Sequence, residues 1–335
     1  MDLTTGYMGL PLRNPLIASA SPLSNTIAGI RQLASAGVGA IVLYSLFEEQ
    51  VAEEAAQNAA WAEAGTESFA ESLTYFPAAT DSDPGARRYL SLLERAAGAV
   101  DIPVIASLNA VTAGGWTGYA AALEQAGASA IELNIYHPLG APLLSGRGVE
   151  QRHVDIVTSV KAAVSVPVAV KVHPYFSSMA DMAQRLVSAG ADGLVLFNRF
   201  LQPDVDPESL TVTAGFGLSH PDEARLPRAW IALLAGRVRA SLAATTGVRD
   251  AADVASYLLA GADVVMTASA LLRNGPMYAA ELLDDLVSWM SRKGFDAVTD
   301  LRGLLAVPAG ADESARERAG YVTALRAANV GNGQW

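Results

Sequence analysis

The sequence predicts an α/β fold, a TIM-type (β/α)8 barrel, from three observations. An eight-residue pattern recurs four times: Ala36–Leu43 reads AGVGAIVL, Ala126–Leu133 AGASAIEL, Ala189–Leu196 AGADGLVL and Ala260–Thr267 AGADVVMT. Each copy follows a helix-like stretch. Glycine ends a helix at little cost because it accepts positive φ, and the short β-branched run after it reads as a buried strand. A second pattern, IPVIAS at Ile102–Ser107 and VPVAVK at Val166–Lys171, sets proline at a strand start, where a missing amide donor does least harm. Third, the strand candidates number eight and alternate with segments able to form helices. A doubly wound open sheet is the rival architecture, and no GxGxxG follows the first strand to support it.

Taken in order, strands are expected at 16–20, 39–45, 103–108, 130–135, 167–172, 193–198, 238–243 and 262–267, with a helix at 277–290 after the eighth. Two units are oversized. Residues 46–102, after the second strand, hold an Ala/Glu-rich amphipathic stretch from Phe47 to Leu73. Residues 199–237, after the sixth, contain LQPDVDPESLTVTAGFGLSHP, a loop or hairpin excursion. Both insertions rise from C-terminal strand ends, the face that carries the active site in barrels. Residues 291–335 are polar and Ala/Arg-rich, and are expected as a helical C-terminal extension packed outside a single barrel domain spanning 1–335.

Composition agrees with a large buried core: 51% of residues are apolar and 17% charged, which argues against disorder. The net charge is 23 − 34 = −11, so phosphate backbones are repelled and nucleic acid is not an expected partner. There is no cysteine, which removes disulfides, thiolate nucleophiles and any iron–sulfur cluster held by this chain. The opening MDLTTGYMGLPLRNP has neither the basic segment nor the apolar core of a signal peptide, and no apolar run approaches the ~20 residues that span a bilayer. A cytoplasmic protein with a small-molecule substrate and no membrane partner is expected. No HExxH motif, His-x-His pair or dense aspartate cluster occurs, so no metal is expected.

Polar residues at C-terminal strand ends are the candidates for chemistry. They are Ser107 and Asn109 on the third strand, Asn134 and His137 on the fourth, Lys171 and His173 on the fifth, and Asn198 on the sixth. The seventh ends in Thr245, Thr246 and Gly247, and the eighth in Thr267, Ala268 and Ser269. Lys171 is one of only three lysines and follows Val168, Ala169 and Val170 inside an apolar strand. An interior ammonium is costly without an anion. The readings are a lysine snorkelling from a strand edge, an anion partner in the barrel mouth, or a Schiff-base amine. TTGVRDAADV and TASALLRNGP each offer small residues and free amides leading into a helix N-terminus, a place for a phosphate, or else ordinary capping by Thr and Ser. Asn134 and Asn198 suit the orientation of a heterocycle, or cap local backbone. His137 has an ordinary pKa near neutrality and is a candidate base, or a solvated loop histidine.

With these residues the chain resembles the dihydroorotate dehydrogenase family of FMN barrels. The likeness runs over most of residues 1–290: NPLIASAS at 14–21, ELNIYHP at 132–138, VPVAVKVHPYF at 166–176, LFNRF at 196–200, ATTGV at 244–248 and MTASALLRNGP at 266–276. The resemblance implies FMN as cofactor. Ala20, Ser21 and Ser107 would lie along the flavin and Asn134 and Asn198 would contact flavin or substrate. Lys171 would face the pyrimidine edge, and Thr246, Gly247, Ala268 and Ser269 would hold the phosphate. It also implies proton abstraction from C5 of dihydroorotate with hydride transfer from C6 to flavin N5, a role in pyrimidine biosynthesis, and a homodimer. Asn134, His137 and Lys171 would be the catalytic set. The departures fall together. His137 stands where the family has a Cys or Ser base, Tyr136 replaces a small residue, and Leu139 replaces a substrate-binding asparagine. Tyr44 replaces a second-strand lysine, ESLTYFP at 71–77 replaces the asparagine-rich substrate loop, and Thr246–Gly247 replaces paired glycines. The flavin half is kept and the orotate half rebuilt, as in a dihydroorotate dehydrogenase-like subgroup with altered catalytic residues. An FMN-binding pseudo-enzyme without turnover is the alternative.

Overall fold

The computed structural model describes residues 1–53, 84–136, 145–199, 203–213, 217–308, 310–311 and 318–326. Its centre is a closed barrel of eight parallel strands: β3 (Leu16–Ala18), β4 (Ala40–Phe47), β5 (Val104–Asn109), β6 (Ala130–Asn134), β7 (Val168–Val172), β8 (Gly193–Leu196), β11 (Ser241–Ala244) and β12 (Val264–Thr267). They pair in that order, and β12 closes on β3. Around them lie α1 (Ile27–Ser35), α2 (Pro84–Ala97), α3 (Ala113–Gln125), α4 (Gly146–Ala163), α5 (Met179–Ser188), α6 (Arg225–Leu234), α7 (Ala251–Ala260), α8 (Ser269–Asn274), α9 (Tyr278–Lys293) and α10 (Val298–Leu301). The eight expected strands and the barrel class are present. The seventh starts later than expected, at Ser241 rather than 238, because Gly236 at φ +74 begins a turn that runs through Arg237.

The repeat has a physical purpose at two positions. Its glycines, Gly37, Gly127, Gly190 and Gly261, all sit at positive φ and turn the chain out of the preceding helix. Two residues later a backbone amide reaches the neighbouring strand: Gly39 N donates to Leu16 O at 2.7 Å, Ser129 N to Val104 O at 2.9 Å, Asp192 N to Val168 O at 2.8 Å and Asp263 N to Leu242 O at 2.8 Å. Where that residue is aspartate, its carboxylate also accepts the neighbour's amide, Val168 N at 2.8 Å and Leu242 N at 2.7 Å. One motif thus stops a helix and sets strand register.

The N-terminal hairpin of β1 (Thr5–Tyr7) and β2 (Leu10–Leu12), which the pattern of repeats did not announce, closes the barrel at the N-terminal ends of its strands. Tyr7, Met8 and Leu12 join an interior cluster whose strand residues include Ala40, Ala130, Ala169 and Ala243. The small side chains leave room for the plug. At Gly193 an added Cβ would stand 3.0 Å from Met8 Cγ and Sδ and 3.3 Å from Tyr7 Oη. The stretch before the hairpin is tied to the far end of the chain: Asp2 N donates to Asp296 O at 2.8 Å, and Val298 N to Asp2 O at 2.9 Å.

The insertion after β8 contains the antiparallel hairpin β9 (Asp204–Asp206) and β10 (Thr211–Thr213), as the sequence suggested. Of the stretch from Phe47 to Leu73, residues 48–53 are helical and the remainder lies outside the described residues. Residues 318–326 are helical and exposed. Among the described residues no helix is long and apolar enough to cross a membrane.

Candidate active site

A cavity of about 910 Å³ opens at the C-terminal strand ends, and the end of every barrel strand contributes to its wall. Ala20, Ser21, Asn134, Lys171, Asn198, Thr246, Gly247, Ala268 and Ser269 all line it. Ser107 does not. It is fully buried, its hydroxyl lies 2.8 Å from Ser45 Oγ, and its amide donates to Tyr89 Oη at 3.1 Å. His137 and Leu139 lie outside the described residues, as does the segment 71–77.

Lys171 is buried, not snorkelling, and its partner comes from the next strand. Strands β6 and β7 pair with Asn134 beside Lys171 and Glu132 beside Ala169, so Glu132, Asn134 and Lys171 all project inward. Lys171 Nζ stands 3.4 Å from Glu132 Oε1, and Glu132 is 1% exposed. Attraction between two such charges is strong where water is excluded. Neither Glu132 Oε2 nor Tyr7 Oη, below it in the barrel, has a hydrogen-bond partner among the described residues. Burial, followed by the charges of Glu132 and Asp263, pushes the Tyr7 hydroxyl well above the ordinary tyrosine range. Glu132 was visible in the ELN motif, but only the strand register shows that it faces Lys171.

On either side of Lys171 the two asparagines meet: Asn198 Nδ2 donates to Asn134 Oδ1 at 2.8 Å, and Asn198 N to Val172 O at 2.8 Å. Ser21 caps the turn at Pro22–Ser24, accepting from Leu23 N at 3.3 Å. His173, by contrast, stacks on Phe176 with ring centroids 4.3 Å apart and is not in the cavity wall.

The two turns expected to take an anion differ. After β11, Thr246 and Gly247 have φ of +81 and +72. A β-branched residue in that region is strained, and a Cβ at Gly247 would lie 2.7 Å from Ala224 N. Tyr257 Oη donates to the carbonyls of Thr245 and Thr246 at 3.2 and 2.7 Å, and Thr246 Oγ1 to Phe197 O at 3.0 Å. This fixes the turn from behind, while the amides of Thr246, Gly247 and Val248 meet no acceptor among the described residues. The helix that follows is unavailable: Asp250 accepts from Ala252 N and Asp253 N, and Asp253 from Arg249 N, so α7 is capped internally. That corrects the expectation of an anion at this helix start. After β12, α8 begins without a side-chain cap. Ser269 Oγ instead accepts from Ser219 N and Ser219 Oγ, each at 3.0 Å, which brings the insertion onto the same turn.

The opposite wall is formed by Phe47, Asn109, Val111, Tyr136 and Arg152. Glu48 holds this side together by accepting from Val111 N, from Thr112 N at 2.8 Å and from Thr112 Oγ1. Burial raises the Glu48 carboxyl, but the hydrogen bonds from Thr112 and Val111 outweigh it and hold the group below the usual glutamate range. Among the described residues no three metal-ligating side chains converge.

The cavity thus brings together open backbone amides, a buried lysine and two asparagines held by one hydrogen bond. The family model described as Dihydroorotate dehydrogenase matches residues 61–290. A protein of Aeropyrum pernix named as a candidate dihydroorotate dehydrogenase A (fumarate) is 30% identical over 234 residues, which is 66% of this chain and 74% of that protein. The dihydroorotate dehydrogenase B (NAD(+)) catalytic subunit of Methanothermobacter thermautotrophicus is 26% identical over 312 residues, covering 90% of this chain and 98% of the relative. That of Shouchella clausii is 29% identical over 208 residues, 61% and 68% of the two chains.

Proposed function

The chain belongs to the dihydroorotate dehydrogenase family, and from that premise we propose an FMN-dependent oxidoreductase acting on a CH–CH bond of dihydroorotate or a related dihydropyrimidine. The observation that carries the reading is the buried Lys171–Glu132 pair at the floor of an open cavity. A charge pair is an expensive way to build a barrel floor unless one of its members has a ligand to meet.

FMN fits the residues present. The open amides of Thr246, Gly247 and Val248 and the uncapped start of α8, with Ser219 and Ser269, would take its phosphate. Ala20 and Ser21 would border the ring system, and Asn134, Lys171 and Asn198 would meet its polar edge. Bound FMN supplies the hydride acceptor that no amino-acid side chain offers.

The protein's own groups have separable tasks. Lys171 presents a fixed positive charge where water is scarce, so negative charge gathering above it is stabilised without reorganisation. Glu132 holds that ammonium in place from the adjacent strand. The bond between Asn134 and Asn198 fixes both amide planes, leaving their remaining donors and acceptors to orient a ring. Phe47 and Val111 add apolar surface to the cavity wall. His137, three residues beyond Asn134, is proposed as the base that takes the proton from C5 of the substrate. A homodimer with a cytoplasmic location and one barrel domain extended by residues 291–335 belongs to the same proposal.

The purified protein is expected to show flavin absorbance at ~450 nm, bleached on anaerobic mixing with dihydroorotate. A flavin that stays oxidised at millimolar substrate removes dihydroorotate as the substrate and favours FMN binding without that turnover. His137→Ala is expected to retain FMN and slow reduction by about 100-fold or more; an unchanged rate denies His137 the role.

A further inference from the structure

Among the described residues three cations border the cavity, and two are neutralised. Lys171 has Glu132 at 3.4 Å, and Arg199 has Glu223 at 3.1 Å. The third, Arg152 on α4, is half-buried and has no carboxylate partner among the described residues. Its one hydrogen bond runs from a terminal nitrogen to Val111 O at 3.0 Å. A guanidinium carries five donors, so most of its capacity is unspent. The wall on this side holds Phe47, Ala110 and Val111 together with the polar Glu49, Asn109 and Tyr136, and no ion pair joins Glu49 to Arg152. A partly desolvated guanidinium in such surroundings gains most from a carboxylate, which it can grip through two parallel hydrogen bonds.

Its position separates it from the phosphate-suited turns. Val111 follows β5 and α4 follows β6, whereas those turns follow β11 and β12, on the far side of the eight-stranded ring. An anion at Arg152 is therefore a second anion, on a molecule or group other than the cofactor phosphate.

We infer that Arg152 is a specificity-determining residue that binds a carboxylate on the substrate, so that the enzyme selects acidic rings over neutral ones. The identity of the ring rests on the reading given above; the charge selection does not. The test is calorimetric binding of two matched pairs to the flavin-loaded protein: orotate against its carboxamide, and benzoate against benzamide. Wild-type protein is expected to prefer the carboxylate of at least one pair by tenfold or more. Arg152→Gln, which keeps a donor for Val111 O, and Arg152→Ala are both expected to abolish that preference while flavin content and melting temperature stay unchanged. Arg152→Lys is expected to restore part of it. A preference that survives in Arg152→Gln, or a wild type indifferent to charge in both pairs, overturns the inference. If benzoate shows the Arg152-dependent preference while orotate does not bind, the inference stands and the dihydropyrimidine reading falls. If dihydroorotate bleaches the flavin but the preference is independent of Arg152, the reading stands and the inference falls.

Discussion

The two ends of the barrel are made from the same strands and have opposite characters. At the N-terminal end, the inward positions include the small residues Ala40, Ala130, Ala169, Gly193 and Ala243, and a hairpin fills the space with Tyr7, Met8 and Leu12. At the C-terminal end, two to four residues further along the same strands, inward positions become Glu132, Asn134 and Lys171, and the space is left open. The small side chains and the plug depend on each other, as do the two charges. The difference teaches that a barrel interior is not one core: a step of one side-chain layer separates packing that stabilises from polarity that waits for a ligand.

The sharpest challenge to this contrast is to remove one member of each partnership. Lys171→Met leaves Glu132 buried without its partner and is expected to cost about 3–5 kcal/mol in denaturant unfolding. The double variant Lys171→Met/Glu132→Leu is expected to recover most of that, because the penalty belongs to the orphaned charge; a single variant as stable as wild type would show that the floor tolerates a lone carboxylate. At the other end, Gly193→Val drives a side chain into Met8 and Tyr7 and is expected to cost about 1–3 kcal/mol while leaving FMN content intact. Loss of flavin there would mean that the plug and the cavity are coupled. Tyr7→Phe removes a buried hydroxyl with no partner among the described residues and is expected to raise stability by about 1 kcal/mol; a loss instead would reveal a hydrogen bond through water toward Glu132. The smallest effect concerns the rim. Glu48 is held below the ordinary glutamate range, so its contribution is fully present above that range and is lost as pH falls through its folded value. The stability difference between wild type and Glu48→Gln is expected to shrink steadily on acidification from about pH 6 to about pH 3, and a constant difference would exclude the carboxylate as its cause.

The barrel was readable from the sequence because its signal is local. An Ala-Gly pair ends a helix, the next residues form a strand, and four copies set the period. Most of the candidate cavity residues were also found, since a polar side chain at the end of an apolar run is conspicuous. What escaped depends on register or on distant segments. Glu132 is invisible as a partner until β6 is laid beside β7. Ser107 stands at a strand end but is consumed by Ser45 and Tyr89, and nothing in its immediate neighbours says so. The start of α7 resembles an anion site by composition, yet Asp250 and Asp253 occupy its amides. Arg152 is one of many arginines, and only its place on the cavity rim singles it out. The hairpin at residues 5–12 is too short to show a period, and it matters only because it fills a hole made by glycine and alanine elsewhere.

The bond between Asp2 and the backbone at Asp296 and Val298 puts positions nearly three hundred residues apart within one peptide's reach. Linear order is therefore a convenience here, not a requirement. A rearranged gene that joins residue 308 to residue 1 through a flexible connector in place of residues 309–335, and begins instead between Pro207 and Glu208 at the tip of the exposed β9–β10 ribbon, would encode the same ring of strands from a different starting point.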